Sequence, residues 1–431
     1  MLIEQKTQRM HQKIAQQAIA QMPQYTSFEI KRGSKMKILR IISTGYPAGG
    51  AENGVVKIHS HLLAKGHTVK ILASDLGPDK EHFNDYSFKS INSANPATLL
   101  LFLFNPSSFL VLRRVLEEYQ PDIVHLHTMH QVTPSVLFLL KKYPTVMTLH
   151  GPETYISKLI YLCIRPIDSN YYYDNGKFNL MGRLSLIFNY IQNFIYKLAI
   201  KNIDLFIAPS RFMQSTAECD LSPIIHLPNF VDLRKFYELK NNYNLLFVGR
   251  VEKVKGIEYL IKAMSLIINV FPEATLTIVG DGFNKQNLLN LTNSLQLDKH
   301  IKFVGWVNNK NLDEYYEKAS IVVVPSTWPE NFGVVALEAM ITGRPVIASR
   351  IGGLPEFIDD GLNGYLIEPQ NSEQIAEKAI KLFSDEALLK QFGENAHKKA
   401  ETFSIERYTD NMIKVYEDVL TTYKLHNHLT T

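Results

Sequence analysis

Cysteine is nearly missing from this chain: Cys163 and Cys219 are its two thiols among 431 residues. Without paired metal-ligand spacing they exclude a disulfide framework and a structural zinc site, and they fit a reducing cytoplasm. Long apolar runs are missing as well. The greasiest stretch, Leu99 to Leu112, is broken by Asn105, Pro106, Ser107 and Ser108, so it falls short of the roughly 18 apolar residues of a spanning helix. The start carries no apolar segment followed by a small-residue cleavage site, so a secretory leader is not expected. Charge of one sign is not concentrated anywhere. Lys and Arg number 46 against 42 Asp and Glu, with a formal charge of +4, and no basic block reads as a nucleic-acid footprint. Finally, neither the GxGxxG nor the Walker A spacing occurs, which disfavours a dinucleotide-binding or ATP-hydrolysing site.

What is present is the composition of a folded globular protein, 45% hydrophobic and 20% charged. The length exceeds what one core usually reaches, so two domains of roughly 150 to 200 residues are expected, with the cleft between them as the site. Residues 1–35, rich in Gln, Lys and Met, read as an N-terminal extension without assigned chemistry. From Lys37 the chain alternates short apolar strands with helical spacing. Strands are expected at Ile38–Ile42, Thr68–Ala73, Ile123–Leu126, Val146–Leu149 and Leu205–Ala208, with a helix over Ala51–Lys65. A polar segment from Lys235 to Tyr243 reads as a linker. The pattern then restarts, with strands at Leu245–Val248, Ala274–Val279, Ile301–Phe303, Ile321–Val324 and Pro345–Ala348 and a helix over Ile257–Ile268. Such alternation predicts an α/β protein of two parallel sheets, whose ligands bind at the carboxyl ends of the strands. The expected division is 36–235 for the first domain, 236–404 for the second, and a helix from 405 to the end, over Ile405–Leu425, that could return to cover the first.

Several residue groups stand where those strand ends would be. Gly49-Gly50 lies in a strand-to-helix turn where a missing Cβ would let a ligand approach backbone N–H groups; a plain tight turn explains it equally. Gly249-Arg250 and Lys255-Gly256 put two cations on one loop, which repel unless an anion such as a leaving diphosphate joins them; solvated surface residues would look the same. Glu330 precedes Phe332-Gly333, and Glu338 sits in the apolar run Val334–Ile341. A carboxylate buried there needs compensation, for which a polar ligand or a structural partner would serve. With a helix starting near Gly333, the N–H groups of Asn331, Phe332 and Gly333 would form an anion site. Glu356, after Gly352-Gly353, reads as a helix N-terminal charge. His125, His127 and His150 end two first-domain strands. Their spacing matches no standard metal site; His150, beside Gly151, is the strongest candidate for function.

Taken together, Gly49-Gly50-Ala51-Glu52, His127, Thr148 to Gly151, Pro209-Ser210, Pro228-Asn229, Gly249-Arg250 with Lys255-Gly256, Val279 to Gly282, Glu330 and Glu338 around Phe332-Gly333, and Gly352 to Glu356 resemble the family 4 retaining glycosyltransferases of the GT-B fold. The resemblance runs from about Lys37 to Lys424 in the expected order.

It implies transfer of a hexosyl unit from a UDP- or GDP-linked sugar to a glycan or lipid-linked acceptor, in bacterial surface polysaccharide or glycolipid synthesis. Arg250 and Lys255 would neutralise the diphosphate, Glu338 would bind ribose hydroxyls, and Glu330 would position the transferred sugar. Gly280-Asp281-Gly282 and Trp306-Val307 would shape the base pocket, Gly249 and the Gly49-Gly50 loop would approach the phosphates, and His150 would lie beside the reacting sugar. His127 and Asn229 would stand on the acceptor side. The resemblance favours a front-face route in which the donor phosphate helps to take the acceptor proton. No Asp-x-Asp triplet occurs, and with two cations on the phosphate no cofactor or divalent metal is expected. A glycogen- or sucrose-type enzyme with a soluble acceptor, or a catalytically silent sugar-nucleotide binder, would share these features. Trp328 to Asn331 departs from many relatives, which carry a smaller residue after the first glutamate. The aromatic segment with Tyr171-Tyr172-Tyr173 and Ile187 to Ile200, with Arg183, Lys197 and Lys201 and no acid between Phe178 and Asn202, permits a shallow contact with the inner face of the membrane. Ordinary core packing gives the same pattern.

Overall fold

The computed structural model describes residues 34–46, 50–77, 82–91, 104–129, 131–151, 194–218 and 221–430, with residues 101, 173, 174, 177, 178 and 191. The extension to residue 33, Gly49, Cys163, Cys219 and Arg183, with most of the aromatic segment, lie outside them. Met36–Thr431 forms one compact unit.

The first sheet has seven strands. They are β1 (Lys37–Thr44), β2 (Thr68–Ser74), β3 (Tyr86–Phe88), β4 (Ile123–Leu126), β5 (Thr145–Thr148), β8 (Leu205–Ala208) and β9 (Ile224–His226), all parallel in the order β3-β2-β1-β4-β5-β8-β9. A small antiparallel pair, β6 (Tyr173–Asp174) and β7 (Lys177–Phe178), stands apart. Central β1 is covered on both faces, so Ile38 to Ser43 are all buried, as a parallel sheet between helices requires. One residue breaks its apolar run: Arg40, fully buried. Helix α1 (Gly50–Ala64) follows β1 directly.

The second sheet has six parallel strands: β10 (Asn244–Val248), β11 (Thr275–Val279), β12 (Ile301–Gly305), β13 (Ile321–Val324), β14 (Val346–Ser349) and β15 (Gly364–Ile367), in the order β12-β11-β10-β13-β14-β15. Helix α2 (Val334–Ile341) follows β13, and Gly333 caps it. Each sheet reverses its order beside its first strand, between β1 and β4 and between β10 and β13, and those reversals open the crevices where ligands enter doubly wound sheets. Two Rossmann-like domains therefore face each other across a cleft.

Every strand expected from the apolar runs is present, though β1, β5, β10, β11 and β14 begin a residue away from the expected positions. The edge strands β3, β9 and β15 have no counterpart among those expectations. Three- or four-residue edges such as Tyr86–Phe88 and Ile224–His226 are too short to show a period.

Residues 232–243 carry no helix or strand, yet they are packed rather than free: the Phe236 ring lies against Gly343, and Arg344 donates to Tyr237 O at 2.6 Å. The chain crosses between domains near Val231 and returns near Ser404, and these two residues bridge each other, with Val231 N donating to Phe403 O at 2.9 Å. After this hinge, helix α3 (Ile405–Thr430) packs on the first domain. Tyr408 packs at a tilt against the Phe230 ring, and the Tyr416 hydroxyl lies 2.6 Å from His125 Nδ1.

Candidate active site

The strand order places the loops after β10 and β13 side by side, and backbone contact fixes their distance. Gly256, at φ +67°, lies so close to the second loop that a Cβ would stand 1.9 Å from Pro325 O; no other residue fits. Thr327 N donates to Val254 O at 2.9 Å across the same seam. The result is a polar cluster in which Lys255 Nζ lies 2.6 Å from Glu330 Oε1 and the Ser326 hydroxyl donates to the same oxygen. The loop after β14 closes the other side. Gly353 N donates to Glu330 O at 2.8 Å, and a Cβ on Gly352, at φ +62°, would meet that carbonyl at 2.2 Å.

The charges of this cluster are matched within the protein. Arg250 and Lys255 do not wait for an anion to relieve their repulsion. Arg250 pairs with Glu252 at 2.7 Å and Lys255 with Glu330, so each cation already faces a carboxylate. Arg250 is 64% exposed in that pair, and an exposed pair is worth at most about 1 kcal/mol, so it exchanges partners readily. Nor is Glu338 uncompensated: Arg234 approaches Oε1 at 3.3 Å and the Tyr316 hydroxyl donates to Oε2 at 3.2 Å. Arg234 also pairs with Asp313, donates to Asn309 Oδ1 at 3.3 Å and lies over the Tyr316 ring. Burial opposes the Arg234 charge, but Glu338, Tyr316 and Asp313 outweigh it and raise its pKa; burial first, then Glu338, pushes the Tyr316 hydroxyl well up.

The loop after β11 is tied to the loop after β10. Gly249 N donates to Val279 O and Val251 N to Asp281 O, so Gly280, Asp281 and Gly282 shape the Gly249–Val251 backbone. Asp281 also pairs with Lys285 at 3.2 Å. Trp306, after β12, is 74% exposed and Phe283 wholly so; Val307 packs against the core. The Phe332 ring is buried against Phe357 and Phe403, which leaves only its backbone for a ligand. At Gly50 an added Cβ would meet nothing within 4 Å, so packing does not call for a glycine there.

Three groups cross the cleft. Asn331 donates from its side chain to His150 O at 2.6 Å. The Glu356 carboxylate accepts from Phe212 N at 3.1 Å and lies 3.4 Å from His226; it serves a helix N-terminus as expected, but in the other domain. Gly353 approaches Ser210. Asn229 N bonds to Pro209 O at 3.4 Å, which places it on the first-domain side.

The histidines form a buried row. His125 lies 2.8 Å from the Thr148 hydroxyl on one side and against Tyr416 on the other. His127 Nε2 faces Arg40, at 3.2 Å from Nε and 2.9 Å from Nη2, while its Nδ1 is 3.0 Å from His150 Nε2. Burial, reinforced by Arg40, depresses all three, His150 to about 4. The ring nitrogens of His125 and His127 are taken by these partners and do not converge on a point. Among the described residues no group of three or more His, Cys, Asp or Glu could hold a metal ion.

Arg40, Arg234, Tyr316, Ser326 and the Asn331 side chain escaped the reading of the sequence. An arginine inside an otherwise apolar strand was the one usable signal, at Arg40.

Against this geometry the comparisons with known proteins are direct. Residues 231–399 match the family model described as glycosyl transferases group 1, and residues 48–235 that of glycosyltransferase family 4. An uncharacterised glycosyltransferase of Methanocaldococcus jannaschii is 29% identical over 73% of this chain and 80% of its own length. The N-acetyl-alpha-D-glucosaminyl L-malate synthase of Bacillus anthracis is 25% identical over 89% of this chain and 97% of its own. Sucrose-phosphate synthase from Thermosynechococcus elongatus superposes with a TM-score of 0.70, at 23% identity, over 90% of this chain and all of that structure. The chain is a GT-B-fold glycosyltransferase. It is related to the two families whose models match its two domains.

Proposed function

We propose that this protein transfers a hexosyl unit from a nucleoside diphosphate sugar to a carbohydrate or lipid-linked acceptor with retention at the anomeric carbon, as a step of polysaccharide or glycoconjugate assembly. The observation that carries the reading is the Lys255–Glu330–Ser326 cluster at the switch point of the second sheet, beside Arg250. A diphosphate gains charge as the glycosidic bond breaks. Preorganised cations stabilise that gain more than they stabilise the bound donor. Lys255 and Arg250 supply them by releasing carboxylates. Glu330, freed from Lys255, then positions hydroxyls of the transferred sugar. Glu338 accepts from Arg234 at one oxygen and from Tyr316 at the other, and a carboxylate accepts about four hydrogen bonds, so it retains capacity for ribose hydroxyls. Trp306 and the Gly280–Gly282 turn border the base.

In the front-face route the acceptor hydroxyl attacks the anomeric carbon as the phosphate oxygen leaves, and that oxygen takes the hydroxyl proton. Retention is supported by the family resemblance and by the alpha configuration in the name of the B. anthracis relative. Domain approach, of the kind made by Asn331 and His150, excludes water and limits hydrolysis of the donor. Among the described residues no helix is long and apolar enough to cross a membrane, so a lipid-linked acceptor would be met at the surface.

Calorimetric titration with UDP, GDP and ADP, with and without EDTA, tests the reading. Selective micromolar binding of one nucleotide, indifferent to EDTA, is expected. Turnover of the matching sugar nucleotide with a soluble sugar phosphate would favour a sucrose-type acceptor, and absence of binding by all three would overturn the proposal.

A further inference from the structure

Arg40 is a guanidinium at the centre of the first sheet, with no carboxylate partner among the described residues. Its contacts are two neutral acceptors. Nη1 donates to Val55 O at 2.6 Å, and Nε and Nη2 both point at His127 Nε2. Burying a charge on neutral partners alone is costly. A leucine would fill the strand without that cost, so the arginine invites a chemical explanation.

The explanation lies in which hydrogen each ring can carry. A guanidinium only donates. With two of its N–H groups aimed at His127 Nε2, that nitrogen must present a lone pair, because a proton there would oppose two donors. His127 is neutral, so its hydrogen sits on Nδ1. That nitrogen is 3.0 Å from His150 Nε2, which in turn must accept. The hydrogen of His150 is thereby placed on Nδ1. Unconstrained neutral imidazoles favour the other tautomer, so the row selects the less common form at the ring that reaches the cleft. The His150 backbone is held as well, through its carbonyl and Asn331 Nδ2.

We propose that Arg40 is a positioning residue for glycosyl transfer: through His127 it fixes His150 as a donor from Nδ1, directed to an oxygen of the sugar in the cleft. The inference rests on the transferase reading for the identity of that acceptor oxygen, but not for the tautomer. The device differs from a proton relay, since no proton moves along the row. His127 and His150 stay neutral throughout, and the arginine acts by excluding the alternative arrangement of hydrogens. His125 takes no part, being tied to Thr148 and Tyr416.

The experiment is long-range proton–nitrogen correlation of the full-length protein labelled with nitrogen-15 at histidine, the rings being assigned by the single variants His127→Gln and His150→Asn. Protonated-type shifts at Nδ1 and lone-pair-type shifts at Nε2 are expected for both His127 and His150. A protonated Nε2 on His150 overturns the proposal, and this readout needs neither substrate nor variant at Arg40. The second arm is Arg40→Met. Release of the His150 tautomer should lower kcat about tenfold or more, while affinity for the nucleoside diphosphate, held by the other domain, stays within about twofold. In the His150→Asn background, where an amide N–H replaces the Nδ1–H, Arg40→Met should cost no more than about twofold further. Full independent losses in the double variant, or a changed tautomer with unchanged kcat, would overturn the role in transfer. If no nucleotide binds at all, the transferase reading fails while the tautomer remains measurable.

Discussion

Lys255 is useful to catalysis only if it can leave Glu330, and the setting of the pair makes that exchange plausible in energy. Both side chains are partly exposed, at 22% and 17%, so the pair is neither sealed in the core nor fully screened. A diphosphate, with more charge than one carboxylate, competes for the ammonium. Replacing Lys255 or Arg250 by Ala is expected to lower turnover by roughly a hundredfold or more, with a smaller effect on donor affinity, in steady-state assays at saturating sugar nucleotide. Near-normal turnover by both variants would remove them from the transition state. The residue types behind this prediction were legible in the sequence, because a cation pair after one strand and a glutamate before Phe332-Gly333 are recognisable in one dimension. Their pairing was not. Lys255 and Glu330 stand 75 residues apart, and what joins them is Gly256 pressed on Pro325, a contact that no local pattern encodes.

The same division holds for elements. Parallel strands buried on both faces announce themselves as unbroken apolar runs, and β1, β4, β10 and β13 were visible for that reason. Short edges were not. Helix α2 illustrates both sides, since its apolar run and its start at Gly333 follow from the sequence, whereas the partners of its Glu338 come from elsewhere. Arg234 reaches it from the linker and Tyr316 from the helix Asp313–Lys318. The arginine side chain is 10% exposed and that of Glu338 11%. Removing one member of so enclosed a pair strands the other. Arg234→Met should therefore cost about 3 kcal/mol in urea unfolding, and Tyr316→Phe about 1 kcal/mol. A loss below about 0.5 kcal/mol for Arg234→Met would mean that Glu338 finds solvent or another donor without it. The polar linker expected between the domains is in this respect a structural part of the second one.

At the scale of the molecule the two domains differ in how they meet acid. His59, His67, His125, His127 and His150 all belong to the first domain, and burial lowers the pKa of each. A histidine whose folded pKa is depressed binds fewer protons folded than unfolded across the interval below its ordinary value of 6.5. Its contribution is then complete above that pH and is lost as pH falls toward the folded value. For His150, between 6.5 and about 4, the loss amounts to roughly 3 kcal/mol. Glu356 acts in the same direction lower down. Burial would raise its carboxyl, but His226 and the N–H groups of Arg211 and Phe212 prevail and lower it, so its contribution disappears only as pH drops below the ordinary carboxylate range. Acidification from pH 7 to 5 should therefore shift the melting of the first domain downward by several degrees while leaving the second nearly in place. Scanning calorimetry should show one unfolding event separating into two. Displacement of neither transition would mean that the buried histidines are not held neutral, and the arrangement of hydrogens along Arg40, His127 and His150 would fail with them.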